Sequence, residues 1–93
     1  MRTIEYTKKF KRDYKREFKG IHKETLATDL QLLIGLLTTN EILPFNYYDH
    51  ALKGNWQDHR DCHLKPDLIL IYRKPDDSTL QLVRLGSHSQ LGL

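Results

Sequence analysis

The sequence predicts an α+β domain: an N-terminal strand and an antiparallel helical hairpin pack on a mainly antiparallel, twisted sheet of about four strands. Two amphipathic helical patterns occupy positions 8–39, and three strand-like segments follow between positions 56 and 85. Ninety-three residues can bury one modest core. A single domain over residues 1–93 is therefore expected.

The first strand and first helix are marked by a change in periodicity. Side chains alternate from Arg2 to Tyr6, as in a strand, and Thr7 is a suitable N-cap for the helix that follows. Phe10, Tyr14 and Phe18 then recur at every fourth position and form one narrow apolar stripe. This stripe predicts a helix that packs on the sheet along one side.

A second helix is predicted from about Lys23 to Thr39, because leucine and isoleucine recur there on one side. The apolar positions are Leu26, Leu30, Leu33, Ile34 and Leu37. The short link at positions 20–22 implies that the two helices are antiparallel.

Three strands are predicted after a loop that contains Pro44. The middle segment is apolar on both faces, which is typical of a central strand. Proline and aspartate clusters mark the turns between the segments. The predicted strands are Trp56–Leu64, Asp67–Lys74 and Thr79–Leu85.

Composition excludes several protein classes. No apolar run approaches the roughly 20 residues of a membrane span, and the N-terminus lacks the apolar region of a signal peptide. Cys62 is the only cysteine, so it cannot form an internal disulfide. A cytoplasmic protein without a membrane partner is expected.

Positive charge is concentrated near the N-terminus. Positions 1–24 hold nine lysines and arginines against four acidic residues, a net charge of +5, whereas the whole chain carries +3. Such a basic helix face can bind a polyanion. On charge alone, a solvated helix face explains the pattern equally well. The basic side chains considered for such a contact are Lys8, Lys11, Arg12 and Lys15.

The histidines suggest either a metal site or an acid–base site. His59 and His63 resemble a ligand pair, but four strand residues span about 13 Å, too far for two ligands of one ion. No metal site is therefore predicted. Asp67 follows a tight turn close to His63, and a carboxylate there can fix an imidazole tautomer. If the strands are adjacent, their ends also bring together His50, Arg84 and His88, although isolated histidines are more often surface or capping residues.

Several motifs carry a resemblance to a known family. They are Tyr-Asp-His-Ala-Leu-Lys-Gly-Asn-Trp at 48–56, Arg-Asp-Cys-His at 60–63, Pro-Asp-Leu-Ile-Leu-Ile-Tyr at 66–72 and Arg-Leu-Gly-Ser-His-Ser at 84–89. In this order they closely resemble the YafQ-like branch of the RelE/ParE toxin superfamily. The resemblance covers nearly the whole chain and implies a RelE-like fold.

The resemblance implies a bacterial type II toxin that cleaves mRNA in the ribosomal A site and is inhibited by a cognate antitoxin. It implies the ribosome and mRNA as further partners, and the candidate rRNA-docking residues are then Lys8, Lys11, Arg12 and Lys15. No cofactor is expected. Relatives can carry aromatic residues where Leu68 and Leu91 stand. The family's functional positions match His50, His63, Asp67, Arg84 and His88.

The chemistry of these residues suits RNA cleavage by the RNA's own 2′-hydroxyl. That reaction needs a base, an acid and positive charge on the phosphorane, which imidazole and guanidinium groups supply. His88 is the predicted acid, and Asp67 or His50 is the predicted base. His63, held by Asp67, is expected to steady the phosphate, and Arg84 to stabilise the transition state.

Four further positions are candidates for substrate binding: Lys53, Trp56, Arg60 and Leu91. Trp56 is more readily explained as a core or sheet-edge anchor, and Arg60 equally well as part of a structural ion pair. Tyr47 and Tyr48 are expected to pack the loop rather than touch substrate. Two rival functions are a non-enzymatic ParE-like inhibitor, for example of gyrase, and a non-cleaving RNA-binding module. The histidine set favours the nuclease.

Overall fold

The computed structural model describes residues 2–93 and confirms the α+β prediction: three helices pack on one five-stranded mixed sheet. The strands lie in the order β1-β5-β4-β3-β2. The elements are β1 (Thr3–Tyr6), α1 (Lys8–Phe18), α2 (Leu26–Leu37), β2 (His50–Ala51), β3 (Arg60–Lys65), β4 (Leu68–Asp76), β5 (Thr79–Gly86) and α3 (His88–Leu91). No helix among the described residues is long and apolar enough to cross a membrane.

The sheet has one strand more than predicted. β2 comprises two residues and pairs antiparallel with the start of β3, and such a short strand has no alternation to detect. β1 runs parallel to β5, whereas the β2–β3, β3–β4 and β4–β5 pairs are antiparallel. The mainly antiparallel character is therefore confirmed.

The segment before β3 differs from the prediction. Gly54–Trp56 forms a 3₁₀ turn, and Asp58 adopts a left-handed conformation with φ of 68°, so the strand begins only at Arg60. Asp67 lies in the turn between β3 and β4 rather than in the strand. The second helix begins at Leu26, three residues later than predicted.

A larger core lies between the sheet and the two long helices. Its fully or nearly fully buried members are Phe10, Leu26, Leu30, Leu33, Leu37, Cys62, Leu68, Leu70, Tyr72, Leu80, Leu82 and Leu85. A smaller core covers the opposite face, where Ile69, Ile71 and Leu91 pack with Leu52, Trp56 and Val83. Because β4 is buried on both faces, it is the central strand that its sequence predicts.

Candidate active site

Strand register places the candidate histidines on the face of the sheet opposite the long helices. His50 pairs with Asp61 across β2 and β3, and His63 pairs with Ile69 across β3 and β4. Directly paired residues project to the same face. Since Ile69 belongs to the smaller core, the side chains of His50, Asp61 and His63 all project on that side.

His88 is held by Asp67. The Nδ1–H and the backbone N–H of His88 both donate to Asp67 Oδ1, at 2.6 and 2.9 Å. These two hydrogen bonds lower the pKa of Asp67, so the carboxylate is ionised and can only accept. Nδ1 must therefore carry a hydrogen, which leaves Nε2 as the reactive nitrogen of His88. The prediction that Asp67 holds His63 is wrong, because its hydrogen bonds go to His88.

His88 is also fixed through the backbone of α3. Ser87 caps this short helix by accepting from the backbone N–H of Gln90, whose side chain accepts from the backbone N–H of Ser87. This reciprocal capping box satisfies two helix donors that would otherwise lack partners. Leu91, 5% exposed, anchors the helix in the smaller core. The imidazole of His88 is thus presented from an ordered helix start.

His50 is oriented by a backbone carbonyl. Its Nδ1 lies 2.8 Å from the carbonyl oxygen of Tyr48 and 3.0 Å from Asp61 Oδ1. A carbonyl oxygen can only accept, so Nδ1 carries the hydrogen and Nε2 is free. The side chain of His50 is 57% exposed. His50 and His88 therefore share one arrangement: Nδ1 is bound, and Nε2 is available.

Asp61 is a site residue absent from the predicted catalytic set. It is 3% exposed, and burial raises its pKa overall, although the charges of His50, His63 and His88 act in the opposite direction. Within residues 2–93 its Oδ1 accepts no hydrogen bond, since the N–H of His50 is directed at the Tyr48 carbonyl. The sequence could have identified Asp61 as a site residue, because it lies two positions before His63 in the same strand and so projects to the same face. A carboxylate beneath three imidazoles provides a counter-charge for their protonated forms.

His63 lies between two other rings. Its centroid is 5.4 Å from that of His88, in an edge-on arrangement, and 5.6 Å from that of Tyr48. The His63 ring therefore lies between His88 and Tyr48, which belongs to the loop that precedes His50.

Arg84 is bound to α1 rather than to the histidines. The register of β5 on β4 shifts by one residue between Leu82 and Arg84, as at a β-bulge. Arg84 Nε and Nη2 donate to Asp13 at 2.6 and 3.3 Å. Asp13 compensates the charge of the guanidinium. A role for Arg84 in stabilising the transition state stays a prediction.

Asp13 is the centre of this buried cluster. It is 2% exposed and also accepts from the backbone N–H of Leu85 and from Arg16 Nη1. Burial alone would raise the pKa of Asp13, but the Arg84 and Leu85 hydrogen bonds and the charges of Arg84 and Arg16 lower it overall. The carboxylate thus fastens α1 to the strand that leads to His88.

The four predicted substrate-binding residues lie in different environments. Arg60 donates to Asp49 at 3.2 and 3.3 Å, and Asp49 also accepts from the Tyr72 hydroxyl, so Arg60 belongs to a structural ion pair. Trp56 is half-buried against the smaller core. Leu91 is buried there and offers no surface to RNA, which corrects its assignment as a substrate-binding residue. Lys53 is exposed.

The remaining candidates are simpler. The four predicted rRNA-docking residues of α1 are all exposed. Cys62 is fully buried, and burial raises the pKa of its thiol, so it is not a nucleophile. His59 lies outside the strand and donates to the carbonyl of Gln57 at 3.0 Å. Among residues 2–93, no three histidine, cysteine, aspartate or glutamate side chains are arranged to hold a metal ion.

A family model and a characterised relative both match this chain over nearly its whole length. The family model described as "Bacterial toxin of type II toxin-antitoxin system, YafQ" matches residues 2–92. The mRNA interferase toxin YafQ of Escherichia coli K12 is 42% identical over 91 residues, which are 97% of this chain and 95% of that protein.

Solved structures show the same fold. In the crystal structure of the E. coli DinJ–YafQ complex, the matching chain is 36% identical, with a TM-score of 0.79 and 98% of each chain covered. A metal-bound toxin from Helicobacter pylori is 47% identical, with a TM-score of 0.79, and the match covers 98% of this chain and 99% of that one. These likenesses extend over nearly the whole chain.

Proposed function

This chain belongs to the YafQ family of bacterial type II toxins, and from that premise we propose that it is an mRNA interferase using two histidines as base and acid. The proposal rests mainly on the hydrogen bonding of His50 and His88, which is the same in both. Each binds an acceptor through Nδ1 and leaves Nε2 free. Paired imidazoles of this kind suit proton transfer near neutral pH.

In the proposed reaction, Nε2 of neutral His50 accepts the proton of a ribose 2′-hydroxyl. The 2′-oxygen attacks the adjacent phosphorus, and the bond from phosphorus to the 5′-oxygen breaks. Nε2–H of protonated His88 donates its proton to that leaving oxygen. The products are a 2′,3′-cyclic phosphate and a 5′-hydroxyl, with one proton moved from His88 to the product and one gained by His50.

The structure favours His50 over Asp67 as the base. The Asp67 oxygen that faces the site already accepts two hydrogen bonds from His88, and its lowered pKa makes it a weak proton acceptor. Asp67 instead positions the general acid, His88, through a hydrogen bond. The carboxylate of Asp61 interacts favourably with the positive charge of the neighbouring imidazolium groups. His63, whose ring centroid lies 5.4 Å from that of His88, would donate a hydrogen bond that steadies the phosphate.

We further propose that the toxin works in the cytoplasm on mRNA in the ribosomal A site. Phosphate contacts from the exposed lysines and Arg12 of α1 would dock it on ribosomal RNA. These side chains lie on a helix that packs on the face of the sheet opposite the histidines. Docking there would leave the histidine face available to mRNA.

A cognate antitoxin is the second proposed partner, as in the DinJ–YafQ complex of the E. coli relative. An apolar groove of about 600 Å³ runs between edge strand β1, α1 and α2, with Lys11 and Lys15 among its lining residues. It suits an apolar, acidic segment. Because the groove adjoins the basic face of α1, such a segment would block ribosome docking without covering the histidines. The antitoxin complex should then fail to bind ribosomes, while His88 stays reactive toward diethyl pyrocarbonate.

The function is tested by treating the purified chain with a chelator, removing the chelator, then incubating treated and untreated protein with programmed ribosomes and mRNA and mapping the 3′ ends. Because an H. pylori relative is metal-bound, the chelator arm is essential. Cleavage that survives chelation and leaves cyclic phosphates supports the proposal. Loss of cleavage on chelation contradicts the metal-independent mechanism. An absence of cleavage in both arms favours the non-enzymatic alternatives.

A further inference from the structure

An exposed aromatic pair lies beside the histidines. Phe45 and Tyr48 are 89% and 60% exposed, and their ring centroids are 5.9 Å apart. The series continues from Tyr48 to His63 at 5.6 Å and from His63 to His88 at 5.4 Å. Four rings thus form a continuous row from the exposed loop to the proposed general acid.

Tyr48 is held in this row by an unusual backbone conformation. Its φ of 50° and ψ of 41° lie in the left-handed region, which residues with a Cβ rarely adopt and which is common at functional sites. In this conformation its carbonyl accepts the Nδ1–H of His50, while its ring approaches His63. The expectation that Tyr48 packs the loop does not fit a ring that is mostly exposed.

Apolar rings exposed beside a polar site need an occupant of matching chemistry. Nucleobases stack on aromatic faces whatever their sequence, and an RNA bound for cleavage has bases next to its scissile phosphate. A cleft of about 350 Å³ opens beside the row, lined by Asn46, Tyr48 and residues 63–66. Leu68 and Leu91, the positions where relatives can carry an aromatic residue, are buried in this chain and cannot stack on a base.

We infer that Phe45 and Tyr48 form a stacking platform for an mRNA base that flanks the scissile phosphate. The inference rests on the proposed function, because it places the RNA across the histidine face. Stacking on Tyr48 would set the ribose and phosphate against His50 and His63. The platform thus contributes to the affinity of the protein for mRNA.

The test compares Tyr48→Phe with Tyr48→Asn. Phenylalanine keeps the ring, whereas asparagine removes it but tolerates the left-handed backbone. Ile21→Ala is the control, because Ile21 is 93% exposed and lies in the turn between the long helices. Each variant is measured for binding to ribosomes programmed with mRNA that has 2′-deoxy nucleotides at the cleavage site and so cannot be cleaved.

The bases flanking the cleavage site are removed one at a time. Wild type and Tyr48→Phe are expected to bind one abasic mRNA about 5- to 150-fold more weakly than intact mRNA, as for loss of one base stack. Tyr48→Asn is expected to lose a similar factor on intact mRNA and little more on the abasic one. Phe45→Ala is expected to show a smaller loss of the same kind.

Binding of intact mRNA by Tyr48→Asn at the wild-type level would overturn the inference. So would an equal loss on intact and abasic mRNA, which would show that Tyr48 acts only through the His50 contact or the fold. Because binding is read without cleavage, the two claims separate. Base-dependent binding with no cleavage of normal mRNA supports the platform but contradicts the nuclease. Cleavage without base-dependent binding contradicts the platform alone.

Discussion

Replacing Asp13 by alanine is expected to destabilise the protein by about 2–4 kcal/mol. Removing one partner of a fully buried ion pair costs about 3–5 kcal/mol, and a buried N–H left without an acceptor costs about 1–3 kcal/mol. The side chains of Arg84 and Arg16 are 21% and 39% exposed and can be partly hydrated, so the ion-pair loss is reduced. The buried N–H of Leu85 has no comparable access to water.

The measurement is urea unfolding followed by circular dichroism, with the slope m checked for constancy. Asp13→Asn keeps the shape and one acceptor oxygen, so it should cost about half as much. Glu17→Gln is the matched control, because it weakens a partly exposed pair with the same Arg16 and should cost less than about 1 kcal/mol. A loss below about 0.5 kcal/mol for Asp13→Ala would refute the argument that this cluster fastens α1 to β5.

The same carboxylate predicts a pH dependence. Its pKa is lower in the folded protein than in the unfolded chain, where it is about 3.9. Its contribution to stability is therefore fully present above about pH 4 and is lost as pH falls through the folded-state pKa. The difference in unfolding free energy between wild type and Asp13→Asn should accordingly shrink as the pH falls below about 4. A difference that stays constant down to pH 2 would contradict the assigned direction of the shift.

Three further predictions concern the site, its support and its docking face. Asp67→Ala should slow single-turnover cleavage by about 10- to 100-fold with ribosome binding unchanged, since it removes the acceptor that fixes His88; a wild-type rate would show that the contact is dispensable. Gly86→Ala should cost about 1–2 kcal/mol in urea unfolding, because a Cβ there would lie 2.8 Å from Arg16 Nη2 and Gln90 Oε1, both of which are held by hydrogen bonds to the backbone; an unchanged midpoint would show that these side-chain ends move freely. Replacing Lys8 and Lys15 by alanine should weaken ribosome binding and make its logarithmic salt dependence shallower; an unchanged slope would exclude this face from docking.

The fold was predictable where side-chain periodicity is strong. Phe10 is buried, and so are Leu26, Leu30, Leu33 and Leu37 of α2, as their spacing predicts. The apolar faces of β4 identify the central strand. β2 was not predicted, because its two residues are too few to show an alternation of polar and apolar side chains and are defined only by their pairing with β3. The late start of β3 follows from the left-handed conformation of Asp58, which an aspartate can adopt but which its residue type alone does not predict.

Sequence reasoning predicted the histidines of the site better than the contacts between its residues. It placed Asp67 near an imidazole but chose His63, because the position of His88 depends on how α3 folds back after β5. It could not predict that a bulge would direct Arg84 to Asp13, since that contact spans 71 residues. The hydrogen bond from His50 to the Tyr48 carbonyl could not be predicted either, because residue type does not determine the orientation of a backbone carbonyl.

The most direct test of the account uses an mRNA in which sulfur replaces the 5′-oxygen at the cleavage site. A thiolate leaves without a proton, so this substrate needs the base but no general acid. We expect His88→Gln to cleave the normal mRNA about 10²- to 10⁴-fold more slowly than wild type and to recover most of that loss on the sulfur-containing mRNA. His50→Gln should be slow on both. Rescue of His50→Gln but not of His88→Gln would reverse the assigned roles, and wild-type rates for both variants on normal mRNA would contradict histidine acid–base catalysis.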